Sequence, residues 1–99
     1  MAQIRFEWDE AKNLANQRKH SLRFEEAIHV FRDPLRVSVH DRIEDGEERW
    51  QTFGLVGGVL LLMVAHTVRE EDAREEVIRV ISARRATAKE RRRYEEEND

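Results

Sequence analysis

Four polar residues near the start of the sequence are spaced so that one face of a helix would carry them all. They are Lys12, Asn16, Lys19 and His20. Their spacing of i, i+4, i+7 and i+8 places them on one side of an α-helix. Two ammonium groups, an amide and an imidazole on one face suit an anion such as a phosphate backbone. The alternative is an ordinary solvated helix face.

Two further groups that could carry chemistry stand within apolar, strand-like runs. His66 follows the apolar run 60–65 and by alternation shares a face with Leu62 and Val64. Its imidazole is either a general acid or base, or a structural histidine bonded to a neighbour. Arg79 lies in an otherwise apolar strand, where a guanidinium needs an anion or an ion-pair partner unless its stem reaches solvent.

Several other chemistries find no support in the sequence. The chain has no cysteine, so disulfides and thiolate zinc sites are excluded, and its four histidines lack the spacings of common metal motifs. There is no nucleophile elbow, P-loop or Rossmann glycine pattern. Arginine, lysine, histidine and tyrosine remain, and these groups can cleave RNA without a metal or cofactor by stabilising charge and moving protons. We therefore expect no metal and no cofactor.

Composition and charge set the broad class. The 99 residues suffice for one domain, expected over residues 1–99. Net charge is −3, yet residues 79–94 hold seven Arg or Lys and one Glu, which favours an anionic partner at that end. The longest apolar run, 59–65, is too short to cross a bilayer, and no signal peptide opens the chain. We expect a cytoplasmic protein without a membrane partner.

The elements that would position these groups follow from periodicity. A short strand over 4–8 leads to a helix capped by Asp9 and ending near His20, with Ala11, Leu14 and Ala15 facing inward. A second amphipathic helix is predicted over 24–31.

The rest of the chain predicts a sheet and one more helix. Four strand-like runs joined by short turns predict an antiparallel meander; they cover 35–40, 48–56, 59–69 and 74–83. A capping box, Thr87 to Glu90, starts a basic helix over 88–97 with almost no apolar stripe. That helix must be frayed or held by other contacts. The predicted class is α+β: an antiparallel sheet with two N-terminal helices packed on it and a C-terminal basic helix.

Residues dispersed along nearly the whole chain form a family pattern. They are Phe6-Glu7-Trp8-Asp9-Glu10, Lys12, Asn16, Lys19-His20, Phe24-Glu25-Glu26-Ala27, Val30-Phe31, Asp33-Pro34, Glu48-Arg49, Leu61-Leu62, Val64, His66-Thr67, Arg79-Val80-Ile81-Ser82-Ala83-Arg84, Ala86, Glu90-Arg91 and Tyr94. In order and spacing this pattern resembles the BrnT toxins of bacterial type II toxin–antitoxin systems.

The resemblance implies more than the periodicity does. It implies a RelE-like ribonuclease fold and a metal-independent endoribonuclease that cleaves RNA, inhibits translation and arrests growth. It implies a BrnA-like antitoxin with a ribbon-helix-helix fold as partner, and contact with operator DNA only through the toxin–antitoxin complex. The competing hypothesis is a non-catalytic binding module that docks the antitoxin and modulates operator binding. Direct DNA binding by the isolated chain is disfavoured by its negative net charge.

On this resemblance, four residues are expected to carry the chemistry. His66 and Arg79 would form the centre of the site, on the sheet that forms its floor. Arg84 would bind the scissile phosphate or stabilise its charge, and Lys12 would be a proton donor or a phosphate ligand.

Four further residues are expected to contact RNA. Lys19 and His20 would bind RNA or the partner protein. Arg85 would lie near the basic helix, and Tyr94 would either stack on a base or anchor that helix.

Overall fold

The computed structural model describes residues 3–99, which form five strands, three α-helices and one 3-10 helix. In chain order they are β1 (Gln3–Glu7), α1 (Glu10–His20), α2 (Phe24–Ala27), the 3-10 helix (Ile28–Arg32), β2 (Val37–Glu44), β3 (Glu47–Val56), β4 (Leu60–Asp72), β5 (Glu75–Arg85) and α3 (Ala88–Glu97). This is the predicted α+β class. Within residues 3–99, no helix has the length and apolar character needed to cross a membrane.

The five strands form one mixed sheet in the order β1-β5-β4-β3-β2. Strands β2 to β5 pair with their chain neighbours in antiparallel fashion, as the meander predicted. The expectation of a purely antiparallel sheet is wrong at one edge, because β1 pairs with β5 in parallel. β1 leads into a helix and not into a hairpin turn. A long connection of this kind allows β1 to lie parallel to β5, whereas a tight turn would give an antiparallel pair.

The predicted second helix is shorter than expected and changes type. Only four residues are α-helical before the chain tightens into the 3-10 helix. The 3-10 helix lies very close to β3, since a Cβ placed on Gly54 would be 2.7 Å from the carbonyl oxygen of Val30. Any larger residue at position 54 would push these elements apart.

One face of the sheet is covered by α1, α2 and the 3-10 helix. The buried core on this side is formed by Leu22, Phe24, Ala27, Val30, Leu62, Val64, Val80 and Ala83. Its members come from the helices, from the link between α1 and α2, and from β4 and β5. The predicted apolar face of α2 and of the 3-10 helix is therefore buried against the sheet.

The face that α1 buries is polar, which corrects the sequence expectation. Asn13 and Asn16 are its buried residues, while Leu14 is 50% exposed. The Oδ1 of Asn16 accepts a hydrogen bond from the amide of Ala83 at 3.0 Å, and its Nδ2 donates to the carbonyl of Leu22 at 3.0 Å. Apolar side chains could not satisfy these buried backbone groups, so the position requires an amide.

The other face of the sheet carries α3 at one end. Phe53, Leu61, Met63 and Tyr94 form a second, smaller core there. The predicted capping box is present, with Thr87 and Glu90 each bonding the other's backbone amide. Despite its polar sequence, α3 is held to the domain through Tyr94.

Candidate functional site

An open depression of about 450 Å³ lies between α1 and the last part of β5, beyond the residues that pair with β1. It is lined by Lys12, Ala15, Asn16, Lys19, His20, Ile81, Ser82 and Arg84. Four of the eight residues predicted to form the site meet here, namely Lys12, Lys19, His20 and Arg84. Two distant segments of the chain therefore supply one concentrated group of cationic and imidazole side chains.

The wall formed by α1 owes its orientation to contacts at its first turn and at its middle. Asp9 caps the helix, and its Oδ1 accepts from the amide of Ala11 at 2.8 Å. Asn16 ties the middle of the helix to β5. Lys12 and Lys19 are exposed, so their ammonium groups are accessible. Asn16 was predicted to be part of a ligand-binding stripe, but both of its polar atoms hold backbone groups, so it positions the wall.

A β-bulge in β5 determines which way the side chains point on the other side of the depression. Ile81 has no partner in the β4–β5 ladder, because its two neighbours pair with consecutive residues of β4. The extra residue shifts the alternation of side chains. Val80 and Ala83 consequently lie in the same core, and Arg84 pairs across from Met63 on the face that carries α3. Simple alternation along β5 would place Val80 and Arg84 on one face, whereas the bulge puts them on opposite faces of the sheet.

Arg84 is fixed at the edge of the depression by a carboxylate. Its Nη1 donates to Oε1 of Glu90 at 2.8 Å, and its Nη2 donates to Oε2 at 3.0 Å. Its Nη1 also donates to the carbonyl of Arg85 at 3.1 Å. The hydrogen bonds from Arg84 lower the pKa of Glu90 to about 2, against the opposing effect of burial. The same hydrogen bonds raise the pKa of Arg84.

His66 lies outside the depression, beneath the 3-10 helix. Its side chain is buried, with only 3% of the residue exposed. Its Nε2 is 2.7 Å from the Oγ1 of Thr52, and its ring packs edge-on against Phe31 at 5.0 Å. Burial lowers the pKa of His66 to about 4, although the Thr67 carbonyl opposes this. The imidazole is therefore neutral at physiological pH.

Arg79 lies on the opposite face of the sheet from His66. In the β4–β5 ladder His66 pairs with Val80, and Arg79 pairs with Thr67. The guanidinium of Arg79 donates to Glu47 at 2.6 Å. The structure thus does not bring His66 and Arg79 together. The expectation that they form one floor is corrected by the alternation of side chains across the sheet.

The remaining predicted residues, Arg85 and Tyr94, also lie outside the depression. Arg85 is exposed at the end of β5 and holds Arg84 through its carbonyl. Tyr94 is only 7% exposed, and its hydroxyl donates to the carboxylate of Asp33. Burial and this bond raise the pKa of Tyr94 to about 12. These contacts fit the anchor that was one of the two predicted roles.

The residues of the depression can bind a polyanion and move a proton. Ammonium and guanidinium groups attract phosphate, and imidazole is the side chain most often used for general acid–base work. In the described part of the chain, no group of three or more histidine or acidic residues is placed to hold a metal ion. The sequence pattern did not reveal the pairing of Glu90 with Arg84, since the capping box already accounted for Glu90.

Comparison with known proteins finds a matching family model and similarity to a solved structure. A family model described as "Ribonuclease toxin, BrnT, of type II toxin-antitoxin system" matches residues 8–90. The fold is similar to the crystal structure of the Brucella abortus ribonuclease toxin BrnT, with a TM-score of 0.60 and 23% sequence identity. This similarity covers 86% of the present chain and 99% of the Brucella chain. Comparison with individually curated proteins finds no significant match.

Proposed function

The chain belongs to the family of BrnT ribonuclease toxins of type II toxin–antitoxin systems, and on that basis we propose that it is an endoribonuclease acting in the depression between α1 and β5. The observation that carries this proposal is the convergence of Lys12, Lys19, His20 and Arg84 on one accessible surface. The proposed enzyme needs no metal, and its fold is a variant of the RelE type.

The chemistry proposed for the depression is attack of an RNA 2′-hydroxyl on the adjacent phosphate. The 2′-oxygen forms a bond to phosphorus while the bond from phosphorus to the 5′-oxygen breaks, leaving a cyclic phosphate and a free 5′-hydroxyl. His20 accepts the proton of the attacking hydroxyl. Lys12 gives a proton to the leaving oxygen; if Lys12 only binds the phosphate, a water molecule supplies that proton. Arg84 stabilises the negative charge that develops on the phosphate oxygens.

His66 and Arg79 receive different roles in this proposal. His66 acts through the fold, because its neutral ring is buried against Phe31 and bonded to Thr52. Arg79, on the face of the sheet opposite His66, is an additional phosphate contact. It becomes available to RNA when its ion pair with Glu47 breaks. In this proposal the two residues do not form one catalytic centre, because they lie on opposite faces of the sheet.

The cellular part of the proposal is regulation by a partner. A BrnA-like ribbon-helix-helix antitoxin neutralises the toxin, and the complex of the two binds operator DNA. Free toxin cuts RNA in the cytoplasm, inhibits translation and arrests growth. Lys19 and Arg85, both exposed, are proposed as contacts to RNA.

The test is expression of the chain without an antitoxin, together with cleavage of RNA by the purified protein in EDTA. The wild type should arrest growth and cut RNA. His20→Gln and Arg84→Ala should each lower the cleavage rate by about 100-fold or more, because each removes a proton-transfer group or a charge stabiliser. Arg92→Ala, on the exposed side of α3, is the matched control and should behave like the wild type. Full activity of both site variants would rule out the depression as the site.

The second candidate is a non-catalytic binding module. It is favoured by one observation, the occupation of the two best-placed guanidiniums by carboxylates: Arg84 by Glu90 and Arg79 by Glu47. In this case the purified chain would bind an antitoxin without cutting RNA, either in EDTA or with added Mg²⁺. Cleavage that appears only with Mg²⁺ would instead contradict the metal-independent mechanism.

A further inference from the structure

We propose that Glu90 is the positioning residue for Arg84, so that the first turn of α3 completes a phosphate-binding fork in the depression formed by α1 and β5. The inference rests on the proposed function and deepens it, because it assigns a role to a carboxylate that does not line the depression itself.

The pattern of bonds to Arg84 leaves a specific pair of donors free. A guanidinium has five N–H groups. Both hydrogens of Nη1 are used, one by Glu90 and one by the carbonyl of Arg85, and one hydrogen of Nη2 is used by Glu90. Among the hydrogen bonds within residues 3–99, none uses the Nε–H of Arg84. Nε–H and the second Nη2–H lie on the same side of the guanidinium.

This free pair of donors matches the geometry of a phosphate. Two parallel N–H groups can bind two oxygens of one phosphate, as they do in bidentate arginine–phosphate pairs. Glu90 occupies the end of the guanidinium formed by Nη1 and Nη2. The side formed by Nε and Nη2 remains available to a ligand. Since Arg84 lines the depression, an anion bound there can reach that side. A free arginine would sample many rotamers, whereas this one is already oriented.

Glu90 is itself fixed by the start of α3. Its Oε1 accepts from the backbone amide of Thr87 at 2.9 Å, a bond that holds the carboxylate and does not involve the Thr87 side chain. The hydroxyl of Thr87 accepts from the backbone amide of Glu90 at 3.1 Å and stabilises the first turn of the helix. One turn further on, Tyr94 fastens α3 to Asp33. The orientation of the guanidinium is therefore inherited from the position of a helix that is anchored at two points.

The Arg84–Glu90 pair is a permanent clamp and not a pH switch. Because its hydrogen bonds with Arg84 lower the pKa of Glu90 to about 2, the carboxylate stays ionised at every pH at which RNA is handled. The effect of Glu90 must therefore be measured by substitution.

Replacement of Glu90 by glutamine separates positioning from simple charge. Glu90→Gln removes one negative charge beside the depression, so RNA should bind as tightly as before or more tightly at low salt. The amide offers Arg84 only one oxygen, so the fork loses its fixed orientation. The kcat should then fall by about 10- to 100-fold, while KM stays unchanged or decreases. A residue with only a structural role would not produce this split.

The experiment measures kcat and KM on a short RNA, and the affinity for a non-cleavable 2′-O-methyl analogue. Glu90→Asp keeps the charge with a shorter stem and should give an intermediate kcat with an unchanged KM. Thr87→Ala is the matched control: it breaks the other half of the capping box but leaves the carboxylate of Glu90 in place. It should lower thermal stability and leave both kinetic constants unchanged. Arg84→Ala provides the reference for complete loss.

The outcomes distinguish this inference from the proposed function. A lower kcat without weaker binding in Glu90→Gln, together with normal kinetics in Thr87→Ala, supports the inference. Wild-type or higher kcat in Glu90→Gln, when Arg84→Ala is inactive, overturns the inference and leaves the proposed function standing. Full activity of Arg84→Ala overturns the inference, and full activity of His20→Gln as well overturns the assignment of the depression. Loss of kcat in Thr87→Ala equal to that in Glu90→Gln would assign the effect to helix stability and overturn positioning.

Discussion

Three of the buried polar residues satisfy partners that an apolar side chain could not. Asn13 accepts from the amide of Phe24 at 2.9 Å, and Asn16 bridges α1 to β5. His66 ends a chain of hydroxyl contacts across three strands, in which Ser38 is 2.7 Å from Thr52, and Thr52 is 2.7 Å from His66. A buried donor or acceptor without a partner would destabilise the fold by about 1–3 kcal/mol. These side chains therefore serve to specify the packing.

The depressed pKa of His66 predicts a stability that falls in mild acid. The unfolded histidine titrates near 6.5 and the folded one near 4, so below pH 6.5 the unfolded state binds the extra proton. The stabilisation is fully present above pH 6.5 and is lost as the pH falls towards 4, by roughly 3 kcal/mol in total. Denaturant titrations at pH 7 and pH 4.5 measure the loss.

The control for this titration is His66→Gln, which keeps a polar group beside Thr52 without a proton to gain. Its free energy of unfolding should fall clearly less than that of the wild type between pH 7 and 4.5. Asp33 does not distort the comparison. Burial alone would raise its pKa, but bonds from the amides of Leu55 and Leu35 and from Tyr94 hold the pKa below its usual range, so its contribution is lost at lower pH. Equal pH dependence of the two proteins would contradict the assignment.

At the scale of elements, the least expected property is the attachment of α3. The helix carries few apolar residues, yet Tyr94 reaches into the second core and bonds Asp33. Asp33 in turn accepts from the amides of Leu35 and Leu55 at 2.8 Å each. One carboxylate therefore joins the end of the 3-10 helix, the link to β2, strand β3 and α3.

Tyr94→Phe should weaken this junction without leaving a cavity in the second core. The ring is retained, but the hydroxyl bond to a charged carboxylate is lost, which should lower the free energy of unfolding by about 1.5–3 kcal/mol. Amide hydrogen exchange should increase most in α3. Arg92→Ala, an exposed change on the same helix, should stay within about 0.5 kcal/mol of the wild type. A Tyr94→Phe protein as stable as this control would show that the anchor is the ring alone.

The sequence predicted the individual helices and strands better than it predicted how they pair and pack together. The end of α1 at His20 and the capping box of α3 were correct, because caps and helical spacing are local signals. The parallel pairing of β1 with β5 carries no local signal, and neither does the bulge at Ile81 that redirects Arg84. For the same reason the joint occurrence of α1 residues and Arg84 in one depression could not be derived from spacing.

At the scale of the whole molecule, the charge that matters is the local one. The chain is acidic overall, and many exposed arginines are paired, as Arg69 is with Glu7 and Glu71. Such surface pairs contribute little to stability, but they leave fewer cations free to attract RNA. RNA binding should accordingly depend on the few accessible cations of the depression.

The salt dependence of RNA binding tests this distribution. If Lys12, Lys19 and Arg84 each contact one phosphate, the logarithm of the affinity should fall with the logarithm of salt concentration with a slope of about −2 for single-stranded RNA, and of about −3.5 if Arg79 and Arg85 each contact a phosphate as well. Lys12→Ala and Lys19→Ala should each reduce the steepness by about 0.7. Lys89→Ala, exposed on α3, should not change it. A slope steeper than about −4, or an equal effect of Lys89→Ala, would indicate that RNA also covers the basic helix. Fluorescence anisotropy with a 2′-O-methyl RNA gives the slopes.

The contact between Asn16 and Ala83, 67 residues apart in the chain, has a consequence during synthesis on the ribosome. Contacts between distant segments form late, because the intervening chain must first be closed into a loop. A nascent chain that ends within β4 contains Lys12, Lys19 and His20 but no strand beside which to place them. The depression comes into existence only after β5 has emerged. Under the proposed function, an unfinished chain therefore has no assembled site with which to cut the message from which it is being translated.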